Sequence, residues 1–438
     1  MVISKGKTPS AQETFMQMAQ AAGLRSRLLI TMGILILVRL GIFLPLPDVN
    51  RQVFSQAVKG NQIINFIDIF SGGGLSALGI FALGIIPYIN ASIIMQLMTA
   101  ALPTLENLQK NEGEAGRRKI SQYTRYVALG WALLQGFGIG IWLQGVGYNG
   151  VPAVENPGPV FLIETMLALS AGSMFVMWAS ELVTEKGVGN GASLLIFISI
   201  VAGLPRSLGS TIKLAQEDSS RVGGVILLLA VFLLMTVAIV FVQEGTRRIP
   251  IISARRQVGR KLYREQANYL PLKLNQGGVM PIIFASSVLI LPASLGQFSN
   301  NPVLVQVSTF LAPNTWGYVA LYLVLILGFS YFYSSLIINP VDLSQNLKKM
   351  GSSIPGIRPG TATSTYISGV LNRLTLLGAI FLGAVAVVPT AVERATGVQT
   401  FSGIGATSLL ILVGVAIETA KQIQTYVISQ RYEGMVKQ

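Results

Sequence analysis

The sequence predicts an all-α polytopic membrane protein with ten transmembrane helices. Three observations carry that prediction. Charged residues make up 11% of the 438 positions, against about 25% in an ordinary soluble chain. The apolar residues gather in charge-free blocks, several of them longer than the roughly 20 residues a helix needs to cross a bilayer. Of the 32 Lys and Arg, 25 fall on one set of alternate loops.

The spans follow from the gaps between charges. Residues 28–44 are apolar apart from Arg39, which places a first span at 26–44. No charge interrupts 69–105 or 126–154, and the second and third spans are drawn at 77–102 and 123–145. Residues 161–183 contain only Glu164 and Glu181, giving a fourth span at 160–183. The charge-free stretches 187–205 and 222–243 supply the fifth and sixth, at 190–208 and 222–244. The long block 274–341 divides at its Asn/Pro-rich centre (Asn300, Asn301, Pro302, Pro313, Asn314) into spans at 277–295 and 316–338. The last two, at 372–392 and 402–424, come from the charge-free stretches 374–392 and 395–417. A β-barrel does not fit, because its strands alternate over about 10 residues and blocks such as 225–242 show no alternation.

Basic residues orient the chain. An even number of spans puts both termini on one side; 25 Lys and Arg lie there and six on the other. The expectation is cytoplasmic termini, with the net charge of +14 mostly a signal of topology. Residues 1–24 are polar and lack the apolar core of a signal peptide, so the first span is expected to remain in the membrane. The longest cytoplasmic loops are 245–275 and 339–372.

Composition removes most chemistry. With no Cys and no His, disulfides, thiolate sites, His bases and His-containing triads are excluded. No catalytic residue, metal site or cofactor is expected, and the chain does not read as an enzyme. Gly145, Gly147 and Gly150 match dinucleotide spacing but precede Pro152 rather than a helix, so they read as loop punctuation. Gly6-Lys7-Thr8 lacks the upstream glycine and strand of a P-loop. Intramembrane charge is sparse. Arg39 is expected to snorkel or to pair with a carbonyl, and Glu164, Glu181 and Glu418 lie toward span ends, where interfacial solvation is the plain reading. A gradient-coupled small-solute transporter would carry acids near the bilayer centre, and none stands there clearly.

The helices are broken instead. Gly84 and Pro87 interrupt the second block, Gly189 and Gly191 open the fifth span, and Gly278 and Pro281 open the seventh. Proline removes a backbone hydrogen bond, and in lipid such breaks persist where the freed groups face protein or a water-filled cavity. One break reads as ordinary packing. Three, each beside Ile or Met, read as an interior path with an apolar constriction able to gate by dewetting. Before the second span, Asn61 to Gly74 is apolar but too short to cross. It fits either a re-entrant segment hinged on its glycine triplet or a surface loop packed on the helices.

At these residues the sequence resembles the SecY family, the central subunits of bacterial protein-translocation channels. The resemblance is carried by Phe81–Ile94 (FALGIIPYINASII), Glu112–Tyr126 (EGEAGRRKISQYTRY), Gly187–Gly191, Arg247–Pro250 (RRIP), Pro281–Ser287, Ile354–Gly360 (IPGIRPG) and Gly405–Ile411. These landmarks keep the family order along nearly the whole chain. The N-terminal tail looks cyanobacterial or plastid-like.

The resemblance implies two inverted pseudo-repeats around a central pore, 1–208 with spans one to five and 209–438 with spans six to ten. It implies a pore ring of Ile85, Ile89, Ala192, Ile196, Met280, Ile283 and Ile411, with Ala192 smaller than the usual aliphatic residue. A plug near 62–76 would contain Asn65, Phe66, Ile67, Asp68, Ile69, Phe70, Gly72, Gly73 and Gly74. A lateral gate between the second and seventh spans would release signal sequences and membrane helices to lipid. Arg255, Arg256 and Arg358 would dock the SecA motor or ribosomal RNA, and small SecE-like and SecG-like membrane subunits are the expected companions. The implied function is a passive channel for unfolded secretory polypeptides in the bacterial plasma membrane, with the thylakoid membrane as a second location. A small-solute transporter and a pore-less assembly protein are the competing classes.

Overall fold

A computed structural model describes residues 22–58, 64, 68, 71–217, 222–253, 257–258, 261–262, 267–298, 302–311, 315–396 and 406–436. The chain is mostly helical, and each of the ten predicted segments overlaps a helix. Among the described residues six helices are long and apolar enough to cross a membrane. A seventh is added if the bent pair Ile86–Ala101 and Pro103–Gln109, which turns by 103°, counts as one span. The described residues fall into two compact units, one drawn from 1–208, 294–301 and 415–438, the other from 209–293 and 302–414.

The first unit opens with α1 (Ala22–Gly41) and a short α2 (Arg51–Ala57). Asn50 caps α2, its Oδ1 accepting from the N–H groups of Gln52 and Val53 at 3.1 and 3.3 Å. Residues 71–85 form turns, and α3 runs only over Ile86–Ala101. The predicted second span, 77–102, is therefore nine residues too long at its start. The cause is conformational: Gly84 has φ +54°, and Pro87 sits in the first turn, where its missing N–H costs nothing.

An amphipathic α4 (Pro103–Asn111) leads to α5 (Gly113–Gly145) and α6 (Pro159–Lys186). On α5, Ala128, Ala132, Gly136 and Gly140 recur every fourth residue and are buried. A Cβ on Gly136 would touch the Met166 backbone, and one on Gly140 would touch Leu162 and Thr165. This small-residue ridge lets α5 and α6 approach closely, the usual way to gain packing where lipid supplies no hydrophobic drive. Between them, β1 (Gly147–Tyr148) pairs with β2 (Val151–Pro152). The turn residues Asn149 and Gly150 have φ +50° and +80°, the tight Asn-Gly hairpin geometry. Of the glycines with dinucleotide spacing, Gly145 ends α5, Gly147 lies in β1 and Gly150 sits in the turn. Helix α7 (Gly191–Glu217) runs through Pro205 and continues nine residues beyond the predicted span.

The second unit contains α8 (Val222–Glu244), whose Leu233 and Phe241 are 70% and 78% exposed, an apolar face that suits lipid. The loop 245–275 holds structure that the all-α reading missed. Strand β3 (Thr246–Ser253) pairs antiparallel with β6 (Ala267–Lys273), and a short β4 (Gln257–Val258) with β5 (Lys261–Leu262). The helices α9 (Met280–Phe298), α10 (Pro302–Phe310), α11 (Trp316–Ile337) and α12 (Pro340–Lys349) follow, and β7 (Ser352–Ser353) joins the far edge of β3. Ile249, Ile251, Leu272, Leu347, Ile354, Ile367 and Leu371 form one buried cluster, so both long loops fold around a shared apolar core. Helix α13 (Thr361–Thr396) starts eleven residues before its predicted span, and α14 (Ala406–Val436), of which residues from Val415 on belong to the first unit, closes the described chain. A buried hydrogen bond from Thr375 Oγ1 to Ser334 Oγ, 2.8 Å, ties α13 to α11.

Candidate functional site

In the first unit the predicted ring residues sit at a hinge. Ile85 is the residue before α3, and Ile89 lies one turn along it, its N–H donating to the Ile85 carbonyl at 3.1 Å. Both are buried, as is Ile196 on α7, while Ala192 in the first turn of α7 is half-buried. The hinge is held from outside α3: Ser173 Oγ of α6 donates to the Gly84 carbonyl at 3.1 Å in a buried setting. A small cavity beside it is lined by Ile85, Leu195, Ile198, Ser199, Arg39 and Ser71, among others. Ile85 therefore shares one space with the glycine segment and with α1.

Of the predicted plug, Asp68, Gly72, Gly73 and Gly74 are described; Asn65, Phe66, Ile67, Ile69 and Phe70 lie outside the described residues. Asp68 organises the segment. Its Oδ1 accepts from Ser71 Oγ (2.9 Å), Leu75 N–H (2.9 Å) and Ser76 N–H (3.1 Å), and its Oδ2 accepts from Ser76 Oγ (2.5 Å). Gly72 and Gly73 take φ +68° and +90°, a region closed to most side chains. Arg39 Nη1 donates to the Gly72 carbonyl. The carbonyl pairing expected for Arg39 is found, with a partner that sequence alone did not specify.

In the second unit the arrangement is local. Gly278 has φ +59°, and Asn275 Nδ2 donates to its carbonyl at 2.8 Å. Met280 and Pro281 follow as the first residues of α9, and Ile283 donates its N–H to Val279 at 3.2 Å. Ile283 and Ile411 are buried to 2% and 0% exposure, whereas Met280 is half-buried. A Cβ on Gly414 of α14 would meet Val279 and Gln243, so α14 runs hard against the start of α9, one turn from Ile411. Each unit thus has a positive-φ glycine break with buried aliphatic residues beside it, Ile85 and Ile89 in the first and Ile283 in the second.

Arg358 is exposed on a loop pinned from three sides. Ile354 is buried in the cluster below it, Ser344 Oγ donates to the Gly360 carbonyl at 2.6 Å, and Thr363 Oγ1 to the Arg358 carbonyl at 2.8 Å. Arg255 and Arg256 lie outside the described residues.

Sequence reasoning missed two arrangements. Glu181, expected to be solvated at an interface, is paired with Arg125. Arg125 Nε and Nη2 meet its two carboxylate oxygens at 3.0 and 2.9 Å, a fork that locks α5 to α6. Arg27 of α1 donates to the Gly187 carbonyl at 3.3 Å and lies 5.1 Å over the Tyr426 ring, fixing the turn before α7 and the final helix. A basic residue near a span end carries no local mark of which carboxylate or ring it will meet. Glu164 and Glu418 are exposed.

A sequence model of the SecY family matches residues 79–420. A protein translocase subunit SecY of Synechococcus elongatus is 68% identical over 445 residues, covering 100% of both chains. One from Synechocystis is 67% identical over 447 residues with the same coverage, and one from Aquifex aeolicus is 42% identical, spanning 94% of this chain and 97% of its own. Among solved structures, one described as a protein conducting channel is similar with a TM-score of 0.62 at 15% identity, covering 92% of each chain. Sec61 from a canine ribosome-channel complex of the endoplasmic reticulum gives 0.59 at 14% identity, again over 92% of each. At these identities the structural likeness bears on the fold.

Proposed function

The chain belongs to the SecY family, and from that premise we propose how its own residues carry protein translocation. It is a multi-pass membrane protein and a subunit of a protein-conducting channel. The transporter alternative finds no support among its relatives.

Ile85, Ile89, Ala192 and Ile196 of the first half and Met280, Ile283 and Ile411 of the second form one apolar gasket. Two halves, 1–208 and 209–438, are inverted pseudo-repeats around the pore. An unfolded polypeptide passes through the gasket, and side chains without charge or fixed hydrogen bonds let any sequence slide. The segment near 62–76 plugs the resting pore. A signal segment enters between α3 and α9 and favours the open state by binding it more tightly than the closed one. Met280 is flexible enough to fill the space left by Ala192.

Arg255, Arg256 and Arg358 of the two long loops dock the SecA motor or ribosomal RNA on the cytoplasmic side, with affinity that falls as salt rises. SecE-like and SecG-like subunits complete the complex. Both termini are cytoplasmic, and the site of action is the plasma membrane, with the thylakoid membrane as a second site.

The observation that carries this reading is the repeated break Gly84-Ile85-Ile86-Pro87 and Gly278-Val279-Met280-Pro281, each with a positive-φ glycine and buried aliphatic residues beside it. Photo-crosslinking amino acids at Ile89 and Ile283 should both capture a stalled secretory chain. An active preparation that gives no adduct at either position would overturn the ring.

A further inference from the structure

We infer that Arg39 is a positioning residue that latches the glycine hinge of the plug, and that water entering beside Ile85 releases it. The inference rests on the plug reading above and adds what holds the plug in place.

The side chain reaches from α1 to a backbone that cannot be substituted without disturbing it. Arg39 Nη1 donates to the Gly72 carbonyl, and a Cβ on Gly72 would collide with Arg39 Nη1 and with the Ser199 side chain. Asp68 adds electrostatic attraction, and its carboxylate is already engaged with Ser71, Leu75 and Ser76. The guanidinium thus meets a finished turn, drawn by the turn's acid and bonded to its carbonyl.

The surroundings make this contact a two-state element. The cavity beside Arg39 is lined mainly by apolar side chains, including Val38, Ile42, Phe81, Ile85 and Leu195. A guanidinium in such a setting has few other acceptors, so letting go of the carbonyl is costly while the space stays dry. Ile85 is both a proposed gasket residue and a wall of this cavity. When the gasket dilates, Ile85 moves and water can reach Arg39. Hydration then replaces the Gly72 carbonyl, and the hinge, already in glycine-only conformations, swings without rebuilding a helix. The same residue thereby senses gasket opening and frees the plug.

The test uses the full chain, purified in mild detergent with the subunits that accompany it and reconstituted into planar bilayers. Arg39→Gln should raise resting open probability about tenfold, the scale of one charged hydrogen bond, and should pass a substrate with a defective signal segment. Gly72→Ala, which attacks the contact from the other side, should act alike. Arg39→Lys keeps a charged donor and should restore most of the seal. Deletion of residues 62–74 serves as the reference for an unplugged channel. If the deletion conducts at rest while Arg39→Gln and Gly72→Ala stay sealed, the latch is overturned and the plug reading stands. If the deletion also stays sealed, the plug reading itself falls. A lower yield of assembled channel with unchanged conductance per channel would make Arg39 merely structural and would equally overturn the latch.

Discussion

Gly84 stands three residues before Pro87 at the start of α3, and Gly278 stands three residues before Pro281 at the start of α9. In both places a glycine in the left-handed region turns the chain, a proline enters the first helical turn, and a side-chain donor satisfies the glycine carbonyl. The donors differ in origin. Gly84 is held by Ser173, 89 residues away on α6, a helix clamped to α5 by the Arg125–Glu181 fork. Gly278 is held by Asn275, three residues upstream in its own loop. The carbonyl of the first hinge is thus referenced to a rigid helix pair, and that of the second to its own loop. What precedes them differs in the same sense. The turns before α3 are knitted by one carboxylate, Asp68, whereas the strand before α9 belongs to a sheet with its own apolar core.

Four substitutions can sharpen or break this contrast. The largest local effect is expected from Asp68→Ala. It leaves the Ser76 amide without its acceptor and the Leu75 amide with Ser71 Oγ alone, and should weaken the segment by about 3 kcal/mol, the upper range for a hydrogen bond to a charged group. Hydrogen exchange at those two amides should accelerate roughly 100-fold, while Ile249 and Leu272 in the sheet keep their protection. Unchanged exchange at Ser76 would show that the turns do not depend on Asp68.

Ser173→Ala comes next, at about 1–2 kcal/mol, because it leaves the Gly84 carbonyl unpaired in a buried site. Asn275→Ala should cost less than about 1 kcal/mol, since water can replace a donor at the half-buried Gly278. Thermal unfolding in detergent measures both, and equal losses would erase the distinction between an anchored and a local hinge. The smallest stability effect belongs to Arg358→Glu, an exposed loop residue expected to stay within about 0.5 kcal/mol. Its effect should appear instead in binding of an anionic cytoplasmic partner, which should weaken and lose part of its salt dependence. Normal binding would overturn the docking role of Arg358.

The sequence was informative where structure is decided locally. Charge-free blocks marked the helices, and Gly84, Pro87, Gly278 and Pro281 marked the breaks. The loop around Gly147 and Gly150 was legible for the same reason, since backbone conformation there depends on adjacent residues alone. The start of α3 was misjudged because the apolar residues 77–85 read as span by composition, although Gly84 already interrupted them. The strands at 246–253 and 267–273 were missed because they lie in a basic loop. Their alternation of buried Ile249 and Ile251 with exposed Arg248 and Pro250 has a core to face only once residues 347–371 fold against them.

By itself the sequence determined an α-helical membrane chain, the places where its helices break, and the apolar residues beside those breaks. The reason is that lipid requires each span to satisfy its own backbone hydrogen bonds, so span length, proline and glycine act within a few residues of where they are written. The tertiary structure alone decided which groups meet: Arg39 with Gly72 across 33 residues, Ser173 with Gly84 across 89, and Arg27 with Gly187 across 160. A charged or hydroxyl side chain states that it needs a partner, but the partner is chosen by the helix packing that brings distant backbone within 3 Å or so of it.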